Sequence, residues 1–200
     1  MGKELLERYN IFKERIKSRL NGFRELDENS QFKEFMFCLL TPQSNAQKCW
    51  KAVEEISLLN EISEETVKNI LITRTRFHNT KAKRIMEAKE MWNGIKSILN
   101  DPDRRNLRNE ITKKVNGYGL KEASHFLRNI GKSDNQIAIL DRHILRNLKR
   151  MDIIYDERIK SYKNYLEIEN KFLNFANRIN IPADELDMLW WSQENGEIFK

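Results

Sequence analysis

Cysteine is nearly absent: the 200 residues hold two, Cys38 and Cys49, both inside helix-like patterns. Such a pair makes neither a disulfide framework nor a four-thiolate metal or iron–sulfur site, and both read as small buried hydrophobes. Three prolines and seven glycines leave little material for tight turns, which disfavours a strand-rich sandwich or barrel. No apolar run is long enough to cross a bilayer, and Met1-Gly2-Lys3-Glu4 opens into mixed charge with no signal-peptide core. The expectation is a cytoplasmic protein with no membrane partner.

Leu, Ile, Lys, Glu, Arg and Asn dominate instead, and at 40% apolar and 33% charged the chain can build one or two domains with a core. An all-α fold is expected. Most of the basic excess behind the net charge of +6 lies in four places: Lys81, Lys83 and Arg84; Arg104, Arg105 and Arg108; Lys113 and Lys114; and Arg142, Arg146, Lys149 and Arg150. Basic helix faces of this kind suit a polyanion such as nucleic acid, although many are simply solvated.

Leu5, Tyr9, Phe12, Ile16 and Leu20 recur at helical spacing, with Asn21-Gly22 as the expected stop. A second helix carries Phe32, Phe35, Met36 and Leu39; Thr41-Pro42 then reads as the capped start of a third, holding Gln43, Ser44 and Trp50. Ser63, Thr80 and Asp101-Pro102 read as further helix starts, and Asp141 as the cap of a helix from Arg142 to Met151. A long helix is predicted from Asp156 to Ile179, and a last one from Pro182 carries Asp187, Trp190 and Trp191. Only Ile137–Leu140 reads as extended, and no internal repeat is present.

The most informative segment is Val115-Asn116-Gly117-Tyr118-Gly119, followed by a helix from Leu120 to Ile130 that ends at Gly131. Gly117 and Gly119 can both take positive φ, and in that geometry successive backbone N–H groups and the next helix start form a concave site for a phosphate oxygen. A plain helical hairpin usually needs only one glycine.

The run Val-x-Gly-Tyr-Gly-x-Lys, then Ala123-Ser124-His125-Phe126-Leu127-Arg128-Asn129, then Ile139-Leu140-Asp141-Arg142-His143 resembles the helix-hairpin-helix DNA glycosylases. More narrowly, KEASHFLRN with ILDRHIL and a terminal Lys200 is similar to the type-2 8-oxoguanine DNA glycosylase/AP lyases, known mainly from archaea and some bacteria. The likeness is closest over Val115–Leu148 and thins between Met151 and Ile181. It implies two helical domains flanking a DNA-binding cleft: residues 25–136 as a helical barrel containing the hairpin, and residues 1–24 with 137–200 as a second domain. The stretch Gly131–Ile137 is slightly long for this family, so the loop it forms is expected to bulge.

Alone, a lysine after a hairpin reads as a phosphate contact and an aspartate before a helix as a cap. In the family's order, the resemblance assigns Lys121 as the amine that attacks C1′ and forms a Schiff base, and Asp141 as the carboxylate that stabilises the cationic sugar. A lysine amine attacks only when unprotonated, which requires desolvation or nearby positive potential such as a helix start. Gln43 is the candidate wedge that fills the hole left by an extruded base, and Phe77 a candidate pocket aromatic. Oxidation of guanine turns N7 from acceptor to donor, so the pocket needs an acceptor. The resemblance points to Lys200 for that choice, with Trp191 lining the pocket and Asp187, one turn earlier, positioning a polar group. Gly117, Gly119, His125 and Arg142 complete the expected DNA contacts.

The implied activity is excision of 8-oxoguanine from duplex DNA followed by strand cleavage, by a monomer acting at the nucleoid of a prokaryotic cell. No cofactor is called for, though hairpin carbonyls could hold a structural monovalent cation. An endonuclease III-like glycosylase without an iron–sulfur cluster and a non-catalytic hairpin module remain the alternatives.

Overall fold

A computed structural model describes residues 2–195 and Ile198. Among these, ten helices and no strand are found: α1 Gly2–Arg24, α2 Glu28–Leu40, α3 Ala46–Ser57, α4 Glu64–Leu71, α5 His78–Ile98, α6 Arg104–Lys114, α7 Leu120–Asn129, α8 Arg142–Arg150, α9 Tyr162–Arg178 and α10 Ala183–Asn195. The all-α expectation holds. Lys200 lies outside the described residues.

Short polar side chains start most of these helices by accepting an otherwise unpaired backbone N–H. Asp27 takes Ser30 N at 2.8 Å, Asn45 takes Lys48 N at 3.0 Å, Ser63 takes Thr66 N at 3.1 Å and Ser161 takes Asn164 N at 3.1 Å. Several starts differ from those expected. Asn21-Gly22 does not stop α1, because Phe23, 2% exposed, continues the buried stripe of Leu5, Tyr9, Ile16 and Leu20. Pro42 does not open α3: it sits in a turn closed by Ser44 N to Thr41 O at 3.0 Å, and the helix waits for the Asn45 cap. The helix α5 begins after Phe77, with Thr80 already inside it. Asp103, rather than Asp101, caps α6. The segment ahead of α9 is irregular, since the Asp156 carboxylate is bound by its own neighbour Arg158.

The chain divides into two units, Leu26–Phe126 and Met1–Glu25 with Leu127–Lys200. The second boundary falls inside α7, not after residue 136. The far end of α7 belongs with α1: the Arg128 guanidinium lies over the Phe23 ring, 5.7 Å from its centroid, and Gly131 abuts Arg24.

Within the unit Leu26–Phe126, α2 packs on α3 and α5. Phe35, fully buried, is its hub, with the rings of Trp92, Tyr118 and Phe126 at 5.4, 5.1 and 5.1 Å. Such ring pairs add about 0.5–1.5 kcal/mol each beyond the area they bury. Within the other unit, α10 packs on α1, α8 and α9. Trp190, 2% exposed, lies 5.7 Å from the Phe172 ring and 5.9 Å from that of Phe175. The Tyr9 hydroxyl donates to Glu185 Oε2 at 2.7 Å, and burial together with that carboxylate pushes the phenol well above its ordinary range.

Two of the presumed surface cations are interior. Arg108 is fully buried and its Nη1 donates to Ser124 Oγ at 3.2 Å; Lys81 is 2% exposed. By contrast Arg142, Arg146, Lys149 and Arg150 are all exposed on α8.

Gly131 ends α7 at φ +66°, and a Cβ there would fall 2.8 Å from the Arg24 Cα. Both the left-handed backbone and the backbone clash penalise any side chain. Gly131→Ala is expected to lower unfolding stability by about 2 kcal/mol or more, read as the shift in denaturant midpoint at unchanged slope.

Candidate active site

The hairpin is built from the end of α6 onward. Val115 N–H closes α6 on Ile111 O, and Tyr118 N–H then bonds Val115 O at 3.1 Å to make the turn. Gly117 sits at φ 96°, and a Cβ there would come within 2.6 Å of Arg84 Cδ, so the arginine stem occupies the space a side chain would need. Gly119 does not take positive φ. It is the residue before α7, and its N–H donates to Glu122 Oε2 at 3.2 Å, as in a capping box.

Between the glycines, Tyr118 turns inward. It is 6% exposed and its hydroxyl donates to Phe35 O at 2.8 Å, so the hairpin is pinned to the aromatic hub. Burial holds the phenol's pKa well above the ordinary value. The Gly-Tyr-Gly pattern carried this signal, an aromatic flanked by two small residues in a tight turn.

Lys121 occupies the first turn of α7, its side chain 26% exposed, with Nζ 3.6 Å from Glu122 Oε1. Glu122 thus touches both the hairpin N–H and the amine. The Gly-x-x-Glu spacing at a helix start is the clue to this second role. His125, expected among the DNA contacts, lies one turn on; it is 9% exposed with its ring 5.7 Å from that of Phe37.

Asp141 caps α8. Its Oδ1 accepts His143 N at 2.8 Å and Ile144 N at 2.9 Å, while Oδ2 has no hydrogen-bond partner among the described residues. One oxygen therefore fixes the carboxylate and the other is available for chemistry. The preceding segment Ile137–Leu140, expected to be extended, starts in a bend at Ile137 and ends in a tight turn that brings Asp141 N to 2.8 Å from Ile139 O. Its backbone is satisfied by α9: Ala138 N donates to Glu169 Oε1 at 2.8 Å, and the Tyr165 hydroxyl donates to Ala138 O at 2.8 Å. Glu169 is fully buried. Neither α9 residue stood out in the sequence, because a side chain pairing with a distant backbone has no local signature.

The loop between Asn129 and Ile137 is fastened rather than loose. Ser133 Oγ donates to Asp184 Oδ2 at 2.6 Å, and Asn135 and Asp184 exchange backbone-to-side-chain bonds of 3.3 and 3.0 Å. Burial raises the Asp184 carboxyl above its usual range. Further along α10, Asp187 is 6% exposed and pairs with Arg128 Nη2 at 3.4 Å, and Trp191 is half-buried beside the core residue Trp190.

Gln43 and Phe77 are both exposed, Phe77 at 54%. Gln43 is the third residue of the Thr41–Ser44 turn, after Pro42, and has φ 54°; Phe77 has φ 58°. A side chain in this region costs about 1–2 kcal/mol relative to ordinary backbone. Lys81 lies beneath, donating to Leu40 O, Pro42 O and Ser44 Oγ at 2.7, 2.9 and 2.9 Å. Burial pushes its amine down to about 8.

No cluster of three or more His, Cys, Asp or Glu suited to a metal ion occurs among the described residues. The arrangement offers a recessed amine at one helix start, a half-engaged carboxylate at another, and exposed cations on α8.

Comparison with known proteins gives the family. The family model for 8-oxoguanine DNA glycosylase matches residues 13–181. The 8-oxoguanine DNA glycosylase/AP lyase of Fusobacterium nucleatum is 41% identical, over 98% of this chain and 96% of its own. Among solved structures, the Methanocaldococcus jannaschii 8-oxoguanine glycosylase/lyase in complex with a 15-mer DNA containing 8-oxoguanine superposes with a TM-score of 0.89 at 30% identity, covering 100% of this chain and 99% of that one. The 8-oxoguanine DNA glycosylase of Thermotoga maritima gives 0.90 at 29% identity, over 100% and 98% of the two chains. With matches that span essentially its whole length, the chain belongs to the 8-oxoguanine DNA glycosylase family.

Proposed function

We propose that this chain excises 8-oxoguanine from duplex DNA and then cuts the strand at the abasic site, with Lys121 as nucleophile and Asp141 as its carboxylate partner. The observation that carries the reading is the full-length likeness to the M. jannaschii glycosylase/lyase bound to 8-oxoguanine DNA. It is supported by a lysine in the first turn after the hairpin and an aspartate with one oxygen uncommitted among the described residues.

On this reading the exposed α8 cations, Arg142 among them, neutralise phosphates, and the hairpin turn at Gly117 approaches the DNA backbone while the Gly119 N–H stays with Glu122. These contacts position the duplex without reading sequence. The lesion leaves the stack, Gln43 enters the gap, and Trp191 on α10 offers the base a flat apolar face. Asp187 is committed to Arg128, so its part is to hold that buried guanidinium and the helix that carries Trp191.

As the bond from C1′ to the base nitrogen breaks, positive charge develops on the sugar and the Asp141 carboxylate stabilises it. The Lys121 amine adds to C1′, and the base leaves with the bonding electrons and takes up a proton. The nitrogen of the adduct has then given up one proton; as the C1′–O4′ bond breaks, its lone pair forms the C1′=N bond and O4′ takes up a proton, and because the nitrogen keeps its last hydrogen the linkage is an iminium. The Glu122 carboxylate beside the amine is placed to receive a proton in these steps. Removal of a C2′ proton then expels the 3′ phosphate, which nicks the strand.

Asparagine retains a carbonyl oxygen for the α8 cap but lacks the charge. Asp141→Asn is therefore expected to leave the denaturation midpoint nearly unchanged while slowing single-turnover excision by about 100-fold or more. Unchanged excision would remove Asp141 from the chemistry. Lys121→Gln should abolish both base release and strand cleavage on 8-oxoguanine duplex while keeping duplex affinity, measured by anisotropy beside undamaged, thymine-glycol and abasic controls. A non-catalytic DNA-binding module would show binding and no cleavage in the parent protein as well.

The backbone ahead of Asp141 hangs on Tyr165 and Glu169. Tyr165→Phe removes the bond to Ala138 O and should slow excision by about tenfold through displacement of Asp141, with duplex affinity unchanged in the same binding assay.

A further inference from the structure

Gln43 and Phe77 come from different parts of the unit Leu26–Phe126, yet both are exposed and both hold left-handed backbone, at φ 54° and 58°. Side-chain-bearing residues keep that conformation only where their surroundings enforce it. The enforcing group lies beneath the turn that carries Gln43. The Lys81 ammonium, 2% exposed, spends all three protons on Leu40 O, Pro42 O and Ser44 Oγ, which bracket Gln43 on both sides. Ser44 Oγ also accepts the N–H of Arg76, the residue before Phe77, at 3.0 Å. One buried cation thus ties the turn carrying Gln43 to the backbone carrying Phe77.

An ammonium is a poor choice for filling space. Removing it from water is unfavourable unless every proton finds an acceptor, and a methionine would occupy the same volume without that requirement. What the ammonium supplies is geometry: it converges three oxygens of an otherwise strained turn on one point. The Arg76 guanidinium lies 5.4 Å from the Phe77 ring and adds a second restraint on that side chain. None of these bonds involves Lys121 or Asp141.

We infer that Lys81 and Ser44 are positioning residues for base extrusion: they preset Gln43 and Phe77 so that the two side chains meet the duplex as one unit, Gln43 entering the stack and Phe77 covering a base it exposes. The inference rests on the excision reading above. Presetting the pair removes the ordering that would otherwise accompany DNA opening, so its effect is felt where a base must be unstacked and is small where it is already unstacked.

The test uses the full chain and its Ser44→Ala, Ser44→Thr and Lys81→Met variants. Single-turnover excision is measured on 8-oxoguanine paired with cytosine and on the same lesion within a small unpaired bubble. In parallel, 2-aminopurine next to the lesion reports unstacking by fluorescence. Ser44→Ala removes the acceptor of both Lys81 Nζ and Arg76 N–H and should slow excision from the paired duplex about tenfold or more and reduce the fluorescence rise, with at most about a twofold effect on the bubble. Ser44→Thr, which keeps the hydroxyl, should restore both. Lys81→Met should move the same readings further in the same direction. Because Ser44→Ala leaves two acceptors for the ammonium, the decisive comparison does not depend on Lys81→Met folding. Equal slowing on paired and bubble substrates, or unchanged rate and fluorescence in Ser44→Ala, would overturn the inference. A parent protein that leaves 8-oxoguanine uncut contradicts the excision reading instead, and the fluorescence comparison then still decides the role of Ser44.

Discussion

The first turn of an α-helix leaves backbone N–H groups without partners inside the helix, and the chain must bend to bring acceptors to them. In this protein the groups assigned to DNA and to chemistry stand at or beside those bends. Asp141 uses one carboxylate oxygen to start α8 and has the other uncommitted among the described residues. Lys121 lies in the first turn of α7, beside a glutamate that caps the same turn. Phe77 immediately precedes α5, and Gln43 lies in the turn ahead of α3. A helix start is stiff because the helix behind it is packed, and it is exposed because the chain has to leave the core to turn. That combination gives reactive side chains fixed positions without burying them.

The interior carries the complementary pattern. Lys81, Arg108, Arg128 and Glu169 are buried charges, and the bonds described for Lys81 and Glu169 go to backbone or hydroxyl groups of irregular segments. Loops between helices have backbone groups that no neighbouring helix can satisfy, and a long charged side chain from a packed helix reaches them. Glu169 does this for the irregular segment leading to Asp141, and Lys81 does it for the turn at Gln43. The two units therefore solve the same problem in the same way, with a helix interior supplying the restraint and a loop displaying the residue proposed to act.

Much of this was legible in the sequence. Helical periodicity located α1, α2, α6 and α7, and the positions of Gly117, Lys121 and Asp141 around one helix named the family before any coordinates. What stayed hidden were interactions between residues distant in the chain. Lys81 counted as one more surface cation, because nothing in the run Lys81–Arg84 distinguishes the residue that faces inward. Thr41-Pro42 mimicked a helix start, since a proline serves equally well in the second position of a turn. Asn21-Gly22 mimicked a stop that the buried Phe23 overrode. Gly119 was expected to share the backbone of Gly117, whereas the Glu122 carboxylate satisfies its N–H with φ outside the positive range.

The account stands on Lys121 as the amine that joins the sugar. Borohydride reduction during reaction with 8-oxoguanine duplex converts that linkage into a stable bond, and peptide mapping of the digested adduct identifies the residue that carries it. The nucleotide is expected on the peptide containing Lys121 and on its side-chain nitrogen. An adduct on another lysine or on the terminal amine, formed at the same rate as excision, would contradict it.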